Sequence, residues 1–318
     1  MKRIAWWIGA VLAVTALGGG CAPSIPLRSR AETIPKETVK MTPGRDLLPP
    51  ILHSNEWTKP VPLPAPVNSA GAEDSPFITP DGNTFYFFFT PDPNIPPEGQ
   101  LTDGVTGIWS SEKTGDGWSE PKRVILMKGS DLSLDGCEFV QGDTMWFCSA
   151  RKGNYRDIDM YTARFRNGTW TDWKNAGEKL NEEYRIGEMH VTADGNKLYF
   201  HADRPGGKGQ VDVWVTRLVN GEWQEPENVA VVNTGETEGW PFVSEDGNEL
   251  WFLRTYKGSP SIWRSKKKDG TWSKPELIVS QFAGEPSLDR QGNLYFTHHY
   301  YKDGKMLEAD IYVARRKP

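Results

Sequence analysis

Glutamates recur along the sequence at intervals of roughly 50 residues, and histidine or arginine follows most of them. Carboxylates held in pairs act as acid and base, or as acid and nucleophile, in glycoside hydrolases. Carboxylates surrounded by arginine and histidine also form binding sites for a polar ligand or a partner. The candidate residues are Glu73, Glu138, Glu188, His190, His201, Arg204, Glu238, Arg254, Glu285 and His298.

One part of this set has the composition of a metal site. Antiparallel pairing about the Asp194–Gly195 turn places Glu188 opposite His201, with His190 two residues along on the same side. Imidazole and carboxylate groups are both zinc ligands. A simple hydrogen bond between glutamate and histidine explains the same composition, and we expect neither a bound metal nor another cofactor.

Three phrases recur in fixed order around these residues, which indicates a repeat protein. The first phrase predicts two strands joined by a tight turn, for which Asp-Gly and Gly-Asn are strong signals. The second predicts a short strand rich in β-branched and aromatic residues, and the third predicts a strand that contains Trp. Examples are SEDGNELWF at 244–252, DVWVTR at 212–217 and GEWQEP at 221–226.

Each repeat therefore holds four short strands in about 50 residues, a length typical of a propeller blade. Five copies of every phrase predict an all-β fold, a five-bladed β-propeller with four-stranded blades over residues 51–318. The Trp phrase EWTKPVPL (56–63) comes before the first hairpin, whereas the chain ends on a second-phrase strand at 310–315. We therefore expect the N-terminal strand to close the last blade by pairing with 310–315.

The predicted propeller brings the candidate residues to one place. The first strand of each blade lines the central axis, and the loops that enter it gather on one face. The candidates lie at the starts of predicted first strands and at the ends of predicted second strands. We therefore expect them to converge at one end of the axis, the axial mouth, where close carboxylates require a cation, an arginine or a proton.

The phrases SEDGNELWF, GEWQEP and DIYVAR (310–315) resemble the TolB-like, WD-repeat-like β-propeller repeat of bacterial periplasmic and lipid-anchored proteins. The resemblance covers about residues 52–318 and implies the propeller fold. It implies no shared catalytic residues, because most members of the family act as binding or assembly platforms. The second repeat departs from the pattern, with VQGDTMW in place of the Asp-Gly turn.

The N-terminus has the pattern of an export signal. Two basic residues precede the apolar run Ile4–Leu17, which is shorter than a membrane span. The following LGGGC ends at Cys21 and resembles a bacterial lipoprotein signal; an ordinary signal peptide cleaved nearby is the alternative. We expect a signal peptide over 1–20, lipidation of Cys21 and a flexible tether over 21–50. The protein would then lie in the cell envelope, in the periplasm or at the outer membrane, attached to the membrane only through its lipid anchor.

Cys137 and Cys148 flank the hairpin of the second repeat, whose turn centres on Gly142–Asp143. Counted from that turn, the two cysteines face each other across the paired strands. Exported proteins can form disulfides, so we expect Cys137 and Cys148 to be bonded to each other, with two buried thiols as the alternative.

Charge and motifs narrow the function. The balance of 37 basic against 42 acidic residues argues against a nucleic-acid partner, and no Gly-x-Ser-x-Gly nucleophile elbow is present. The sequence favours a protein without enzymatic activity, a binding or assembly platform for an envelope protein or a polar or carbohydrate ligand at the axial mouth. The alternative is a carbohydrate-active hydrolase that uses the carboxylates there.

Overall fold

The structure is a computed structural model that describes residues 26–129 and 131–318. Strands account for 48% of the residues and helices for 5%, so the chain is all-β. The predicted signal peptide and Cys21 lie outside the described residues. Among the residues described, no helix has both the length and the apolar character needed to cross a membrane.

The N-terminal segment, residues 26–71, carries little regular structure. Ser29 caps one helical turn, because its hydroxyl accepts a bond from the Glu32 amide while the Glu32 carboxylate accepts one from the Ser29 amide. The elements of this segment are α1 (Arg30–Thr33), β1 (Ile51–Leu52) and β2 (Val61–Pro62).

Five antiparallel units follow, named units 1 to 5, each built on three consecutive strands with shorter strands at the outer edge. Unit 1 comprises β3 (Ala72–Ile78), β4 (Thr84–Thr90), α2 (Pro97–Gln100), β5 (Gly107–Thr114), β6 (Gly117–Trp118) and β7 (Lys122–Arg123). Unit 2 comprises β8 (Ser133–Gln141), β9 (Thr144–Arg151), β10 (Asp159–Arg166) and β11 (Thr169–Asn175).

A short π-helix, Lys179–Glu183, leads into the second half of the chain. Unit 3 comprises β12 (Met189–Val191), β13 (Lys197–Ala202), β14 (Asp212–Val219), β15 (Glu222–Trp223) and β16 (Glu227–Asn228). Unit 4 comprises β17 (Glu238–Val243), β18 (Glu249–Tyr256), β19 (Ser259–Lys268), β20 (Thr271–Trp272) and β21 (Glu276–Ser280), with β1 paired to β21. Unit 5 comprises β22 (Ala283–Leu288), β23 (Leu294–Lys302) and β24 (Lys305–Ala314).

The first strands of the five units contact one another in cyclic order. The order runs β3, β8, β12, β17 and β22, and β22 contacts β3 again. Units 5 and 1 also meet through one parallel bridge between Ala309 and Ala72, which joins their strands into a single nine-stranded sheet. The remaining strands extend antiparallel from the first strands, so the first strands surround a common axis.

Asp-Gly turns join the first and second strands of units 1, 3 and 4, as the sequence predicted. In each turn a hydroxyl at the end of the first strand donates to the aspartate, and the following glycine has positive φ. Gly82, Gly195 and Gly247 have φ values of 74°, 73° and 70°. Glycine adopts this conformation without the steric cost of a Cβ atom, so the chain reverses within two residues.

The N-terminal segment supplies the outer strand of unit 5. β2 pairs antiparallel with β24, which places Pro62 opposite Tyr312. Trp57 extends the same contact past the end of β24 through an isolated bridge. The predicted pairing of the segment 56–63 with 310–315 is therefore confirmed.

The segment before β1 is attached to the units by buried charges, so the predicted flexible tether over 21–50 is wrong for its described part. Arg30 is only 6% exposed. Its Nη1 donates to Glu73 at 3.0 Å and to the carbonyl oxygen of Val67 at 2.8 Å. A buried guanidinium persists only when it is paired in this way, so Arg30 holds the segment against unit 1.

Two further contacts hold this segment against unit 5. Lys40 forms ion pairs with both Glu308 and Asp310 of β24. The Asp46 carboxylate lies 2.8 Å from Nε2 of His298, which is fully buried. These contacts link residues far apart in the sequence, which is why the polar composition of 21–50 did not reveal them.

Trp57 connects the N-terminal segment to unit 4 as well as to unit 5. It is 1% exposed, and its ring meets that of Trp251 edge-on at 5.5 Å. The guanidinium groups of Arg264 and Arg316 lie 4.9 Å and 4.5 Å from its ring centroid. Its indole N–H donates to the carbonyl oxygen of Gly292 at 2.9 Å, so every part of the side chain has a partner.

Replacing this side chain tests the attachment. Trp57→Ala should lower the free energy of unfolding by about 3–5 kcal/mol, because it leaves a large cavity between two units. Phe165→Ala, at a ring that is 45% exposed, is the control and should cost about 1 kcal/mol or less. Denaturant unfolding measures both variants, and equal losses would contradict a joining role for Trp57.

Candidate functional site

The first strands are distorted at one equivalent position near the axis. In units 1, 2, 4 and 5 the pairing register shifts there, and one residue has positive φ: Ser75 (48°), Cys137 (55°), Trp240 (51°) and Glu285 (56°). Such a β-bulge leaves a residue unpaired and redirects its side chain. Glu188 occupies the equivalent position in unit 3, and we call these five residues the axial ring.

The axial ring forms the outer part of one pocket, the axial pocket. Its members are half-buried, whereas the residue after each of them is buried. The cavity between the lining residues has a volume of about 50 Å³. The deeper lining residues are Pro76, Phe77, Glu138, Phe139, His190 and Phe242.

His201 fills the narrow space between units 3 and 4. A Cβ atom on Gly187 would lie 2.2 Å from His201 Nε2, which excludes a side chain there, and one on Gly239 would make a tight contact of 3.1 Å with Nδ1. The ring packs 4.7 Å from that of Trp240, whose amide donates to Nδ1 at 3.3 Å. Burial lowers the pKa of His201 to about 4, so the ring is neutral, and it makes no hydrogen bond to Glu188.

Glu188 is held by two donors at the pocket surface. Its Oε1 accepts a hydrogen bond from Trp240 Nε1 at 2.7 Å, and the Cys137 thiol donates to the same carboxyl group. Poor solvation raises the pKa of Glu188 to about 7, although both hydrogen bonds act to lower it. Near neutral pH this group can carry or release a proton, as a general acid must.

Asp74 and Glu285 form a carboxyl pair where units 5 and 1 meet. The Ser75 amide and the Thr297 hydroxyl donate to Glu285 at 2.8 and 2.9 Å. Burial and the charge of Asp74 raise the pKa of Glu285 well above its usual value, so Glu285 carries the proton. Burial alone would raise the pKa of Asp74 as well. The bond from Glu285 and the His299 imidazole 3.6 Å away instead lower it, so Asp74 is ionised.

Glu138 is a buried carboxyl without a protein partner. It is 5% exposed, and neither of its oxygens has a hydrogen-bond partner in the part of the chain that the structure describes. Burial raises the pKa of Glu138 well above its usual value, and the charges of Glu188 and Asp74 add to the effect. Glu138 therefore lines the axial pocket as a neutral carboxyl group.

Two predicted glutamates form structural ion pairs instead of lining the pocket. Glu238 is fully buried and accepts from Arg254 Nε at 2.8 Å, and Glu73 is held by the N-terminal segment. Asp135 and Arg151 make the equivalent contact in unit 2, at 2.6 Å. These pairs fix the starts of the first strands, so the prediction that Glu73, Glu238 and Arg254 converge on a ligand is not met.

Of the other predicted residues, some make structural contacts and some line the pocket. His298 is buried against Asp46, and Arg204 forms an ion pair with the exposed carboxylate of Glu225. His190 lines the deep end of the pocket, where burial lowers its pKa to about 3 and keeps it neutral. The predicted residues that the pocket brings together are Glu138, Glu188, His190 and Glu285.

Cys137 and Cys148 are free thiols, so the predicted disulfide is wrong. The bulge makes Gly136 and not Cys137 the partner of Cys148 across the strands, although the two thiols still lie within hydrogen-bonding distance of each other. The hydrogen bond with Cys148, together with burial, raises the pKa of the Cys137 thiol well above its usual value. Cys137 therefore keeps the proton that it donates to Glu188.

Trp240 lines the pocket, although it was not among the candidates predicted from the sequence. Asp74, which the sequence offered beside Glu73 as an acidic residue of the mouth, lies next to the pocket residue Ser75. A signal for Trp240 was present in the repeats. It follows the structural acid Glu238 by two residues, as Cys137 follows Asp135. Aligning the first strands on Glu238 and Asp135 would have placed Trp240 and Cys137 at equivalent positions of the axial ring.

No protein-family model matches the chain, and no curated protein matches it. Several solved structures are similar over most of its length. An endo-arabinase from Bacteroides thetaiotaomicron is 16% identical, with 80% of this chain and 96% of that chain covered and a TM-score of 0.47. A GH62 hydrolase in complex with xylotriose is 12% identical, with 82% and 97% covered and a TM-score of 0.48. A puromycin-hydrolysing peptidase from Mycobacterium tuberculosis is 12% identical, with 74% and 46% covered and a TM-score of 0.38.

Most of these similar structures are glycoside hydrolases by name, among them a xylosidase and an arabinofuranosidase. The names of these neighbours contradict the prediction of a binding or assembly platform for an envelope protein. With identities of 12–16% and TM-scores below 0.5, the likeness assigns no activity to this chain. Any activity of this chain therefore has to be argued from its own pocket.

Mutation tests whether the buried ion pair of Arg254 and Glu238 stabilises the fold. Arg254→Ala should lower the free energy of unfolding by about 3–5 kcal/mol, because it leaves Glu238 as an unpaired buried carboxylate. Arg290→Ala removes an exposed pair with Glu245 and should cost under about 1 kcal/mol. Urea unfolding at pH 7 measures both, and an Arg254→Ala variant of unchanged stability would contradict the structural role.

Proposed function

We propose that this protein is a carbohydrate-active hydrolase, that its five units are the blades of a five-bladed β-propeller, and that the axial pocket is its active site. The main support is the divergent protonation of the carboxyl groups around that pocket. Asp74 is held ionised, whereas Glu188 carries a proton up to about pH 7. Two carboxyl groups whose pKa values are separated by their environments are typical of an acid and a base in catalysis.

The two carboxyl groups fit the two roles that glycosidic-bond cleavage requires. A carboxylic acid protonates the leaving oxygen, and a carboxylate activates water or attacks the anomeric carbon. Glu188 takes the first role, because Trp240 and Cys137 orient its carboxyl group at the pocket surface. Asp74 takes the second, because Glu285 and His299 stabilise its negative charge.

Aromatic rings beside these carboxyl groups support a sugar as the ligand, since the C–H faces of sugars pack on flat apolar surfaces. Trp240 is half-buried, and its indole N–H donates a hydrogen bond to the Glu188 carboxyl group. Phe282 and Tyr301 pack at 4.6 Å between ring centroids. Tyr301 has a raised pKa, caused by burial and by the charge of Asp74, so this aromatic pair lies near the second reactive carboxyl group.

The proposal includes a place in the cell envelope. We propose that residues 1–20 are removed as a signal peptide, that Cys21 is lipidated, and that the chain is a TolB-like repeat protein. The support for this part is the N-terminal sequence pattern and the repeat phrases. An enzyme in that location would meet polysaccharides outside the cytoplasm.

The pH dependence of kcat/KM on glycosides tests the two catalytic roles. We expect the rate to fall above about pH 7, as Glu188 loses its proton, and to show no acid limb above about pH 4, because the pKa of Asp74 lies below its usual value of 3.8. Trp240→Phe removes a bond that lowers the pKa of Glu188, so the fall should move to higher pH. Trp223→Phe is the control, and a rate that rises through pH 7 would contradict the assignment.

A further inference from the structure

Glu138 has no part in the proposed reaction, yet its surroundings indicate a ligand. It is 5% exposed, both of its oxygens lack a partner among the described residues, and it lines the axial pocket. Buried polar groups in folded proteins are almost always satisfied by protein, water or a bound group. A ligand that completes Glu138 would therefore gain hydrogen bonds that the folded chain leaves unmade.

Carboxyl groups make up most of the titratable lining of the pocket. Its lining within the described chain contains three glutamates and no lysine or arginine, and His190 is neutral. The charge of Arg123 reaches Glu138, but the terminal nitrogens Nη1 and Nη2 of Arg123 donate to the carbonyl oxygens of Ile108 and Thr106. Nε of Arg123 is buried and also lacks a partner among the described residues. No protein cation is bonded to Glu138, so both of its oxygens remain available to the donors of a ligand.

The walls around Glu138 are aromatic. The rings of Phe77 and Phe139 meet edge-on with centroids 5.3 Å apart. His190 lies between Phe139 and Phe242, with centroid distances of 4.2 and 4.5 Å. Aromatic faces attract organic cations, and a carboxyl group among such faces is typical of sites that bind ammonium groups.

We propose that the axial pocket takes a sugar that carries a free amino group, and that Glu138 receives its ammonium. The choice of a sugar rests on the proposed hydrolase function. An ammonium group offers three N–H donors and tolerates aromatic walls, whereas hard metal ions require about six oxygen ligands. Within 26–129 and 131–318, no three His, Cys, Asp or Glu side chains are arranged to hold a metal ion.

Binding of an ammonium group should release a proton. In the empty pocket Glu138 is neutral, because burial raises its pKa. A positive charge beside it favours the ionised form, so the proton leaves when the amine binds. Asp74, Glu188, Glu285 and the Cys137 thiol also titrate near this space. A variant of Glu138 alone therefore separates its contribution from theirs.

Calorimetric titration of the full chain at pH 6 tests the inference. Glucosamine and galactosamine are compared with glucose and galactose, each in two buffers of different ionisation enthalpy, so that proton release is measured directly. We expect the amino sugars to bind at least about 10-fold more tightly and to release a proton. Glu138→Gln should abolish both effects, Glu138→Asp should retain part of them, and the exposed control Glu222→Gln should change neither.

Several outcomes would overturn the inference. Equal affinity for amino and neutral sugars, an absence of sugar binding, or an undiminished preference in Glu138→Gln would each do so. Tight binding of calcium or sodium that displaces the amino sugar at constant ionic strength would identify an inorganic cation instead. If Glu138→Gln fails to melt as a folded protein, an undiminished preference in Glu138→Asp would overturn the inference in its place.

The calorimetric titration measures binding without turnover, so its result does not depend on whether the protein is a hydrolase. Hydrolysis of neutral glycosides without any preference for an amine would contradict the ammonium site and leave the hydrolase in place. Binding of amino sugars by a protein that cleaves no glycoside would support the site and contradict the hydrolase.

Discussion

The close approach of five backbones around one axis is the constraint on which the other features depend. Gly187 and Gly239 leave room for the His201 ring between them; a Cβ atom on Gly187 would collide with the ring, and one on Gly239 would press closely against it. In units 1, 2, 4 and 5 a bulge turns one side chain of the first strand out of the strand pairing. The bulges therefore affect both how the first strands pack around the axis and which side chains line the pocket.

The distribution of charge follows from the same arrangement. Each structural acid at the start of a first strand is matched by an arginine, from the second strand in units 2 and 4 and from the N-terminal segment in unit 1. These three arginines are therefore engaged in ion pairs that stabilise the strands. The carboxyl groups nearer the axis keep little compensating charge, and poor solvation there raises the pKa of Glu188 and Glu138. The contrast with the ionised Asp74 is the basis of the proposed acid and base roles.

Much of the fold could be predicted from the sequence, because its signals are local. Asp-Gly turns and alternating apolar residues specify the hairpins, and the order of the Trp phrases specifies the pairing of 56–63 with 310–315. The bulges could not be predicted in this way, since Ser75 and Trp240 share a backbone conformation without sharing chemistry. One inserted residue changes every pairing beyond it, so Cys148 pairs with Gly136 and not, as the sequence predicted, with Cys137.

Long-range contacts account for the remaining differences. Arg30 reaches Glu73 across a polar stretch with no periodicity, so composition alone suggested a free tether. For the site, the pocket brings together Glu138, Glu188, His190 and Glu285, which the sequence placed at the starts of neighbouring first strands. It could not separate them from Glu238, whose arginine partner is visible only once the strands are paired.

The central claim is that the axial pocket cleaves glycosidic bonds with Glu188 as the acid. The most direct measurement is the release of reducing ends from a panel of polysaccharides by the wild-type protein and by Glu188→Gln, which keeps the shape of the side chain. The account predicts release from at least one substrate, with a loss of roughly 100-fold or more in the variant at unchanged melting temperature. Release that is equal in both proteins, or no release from any polysaccharide, would contradict it.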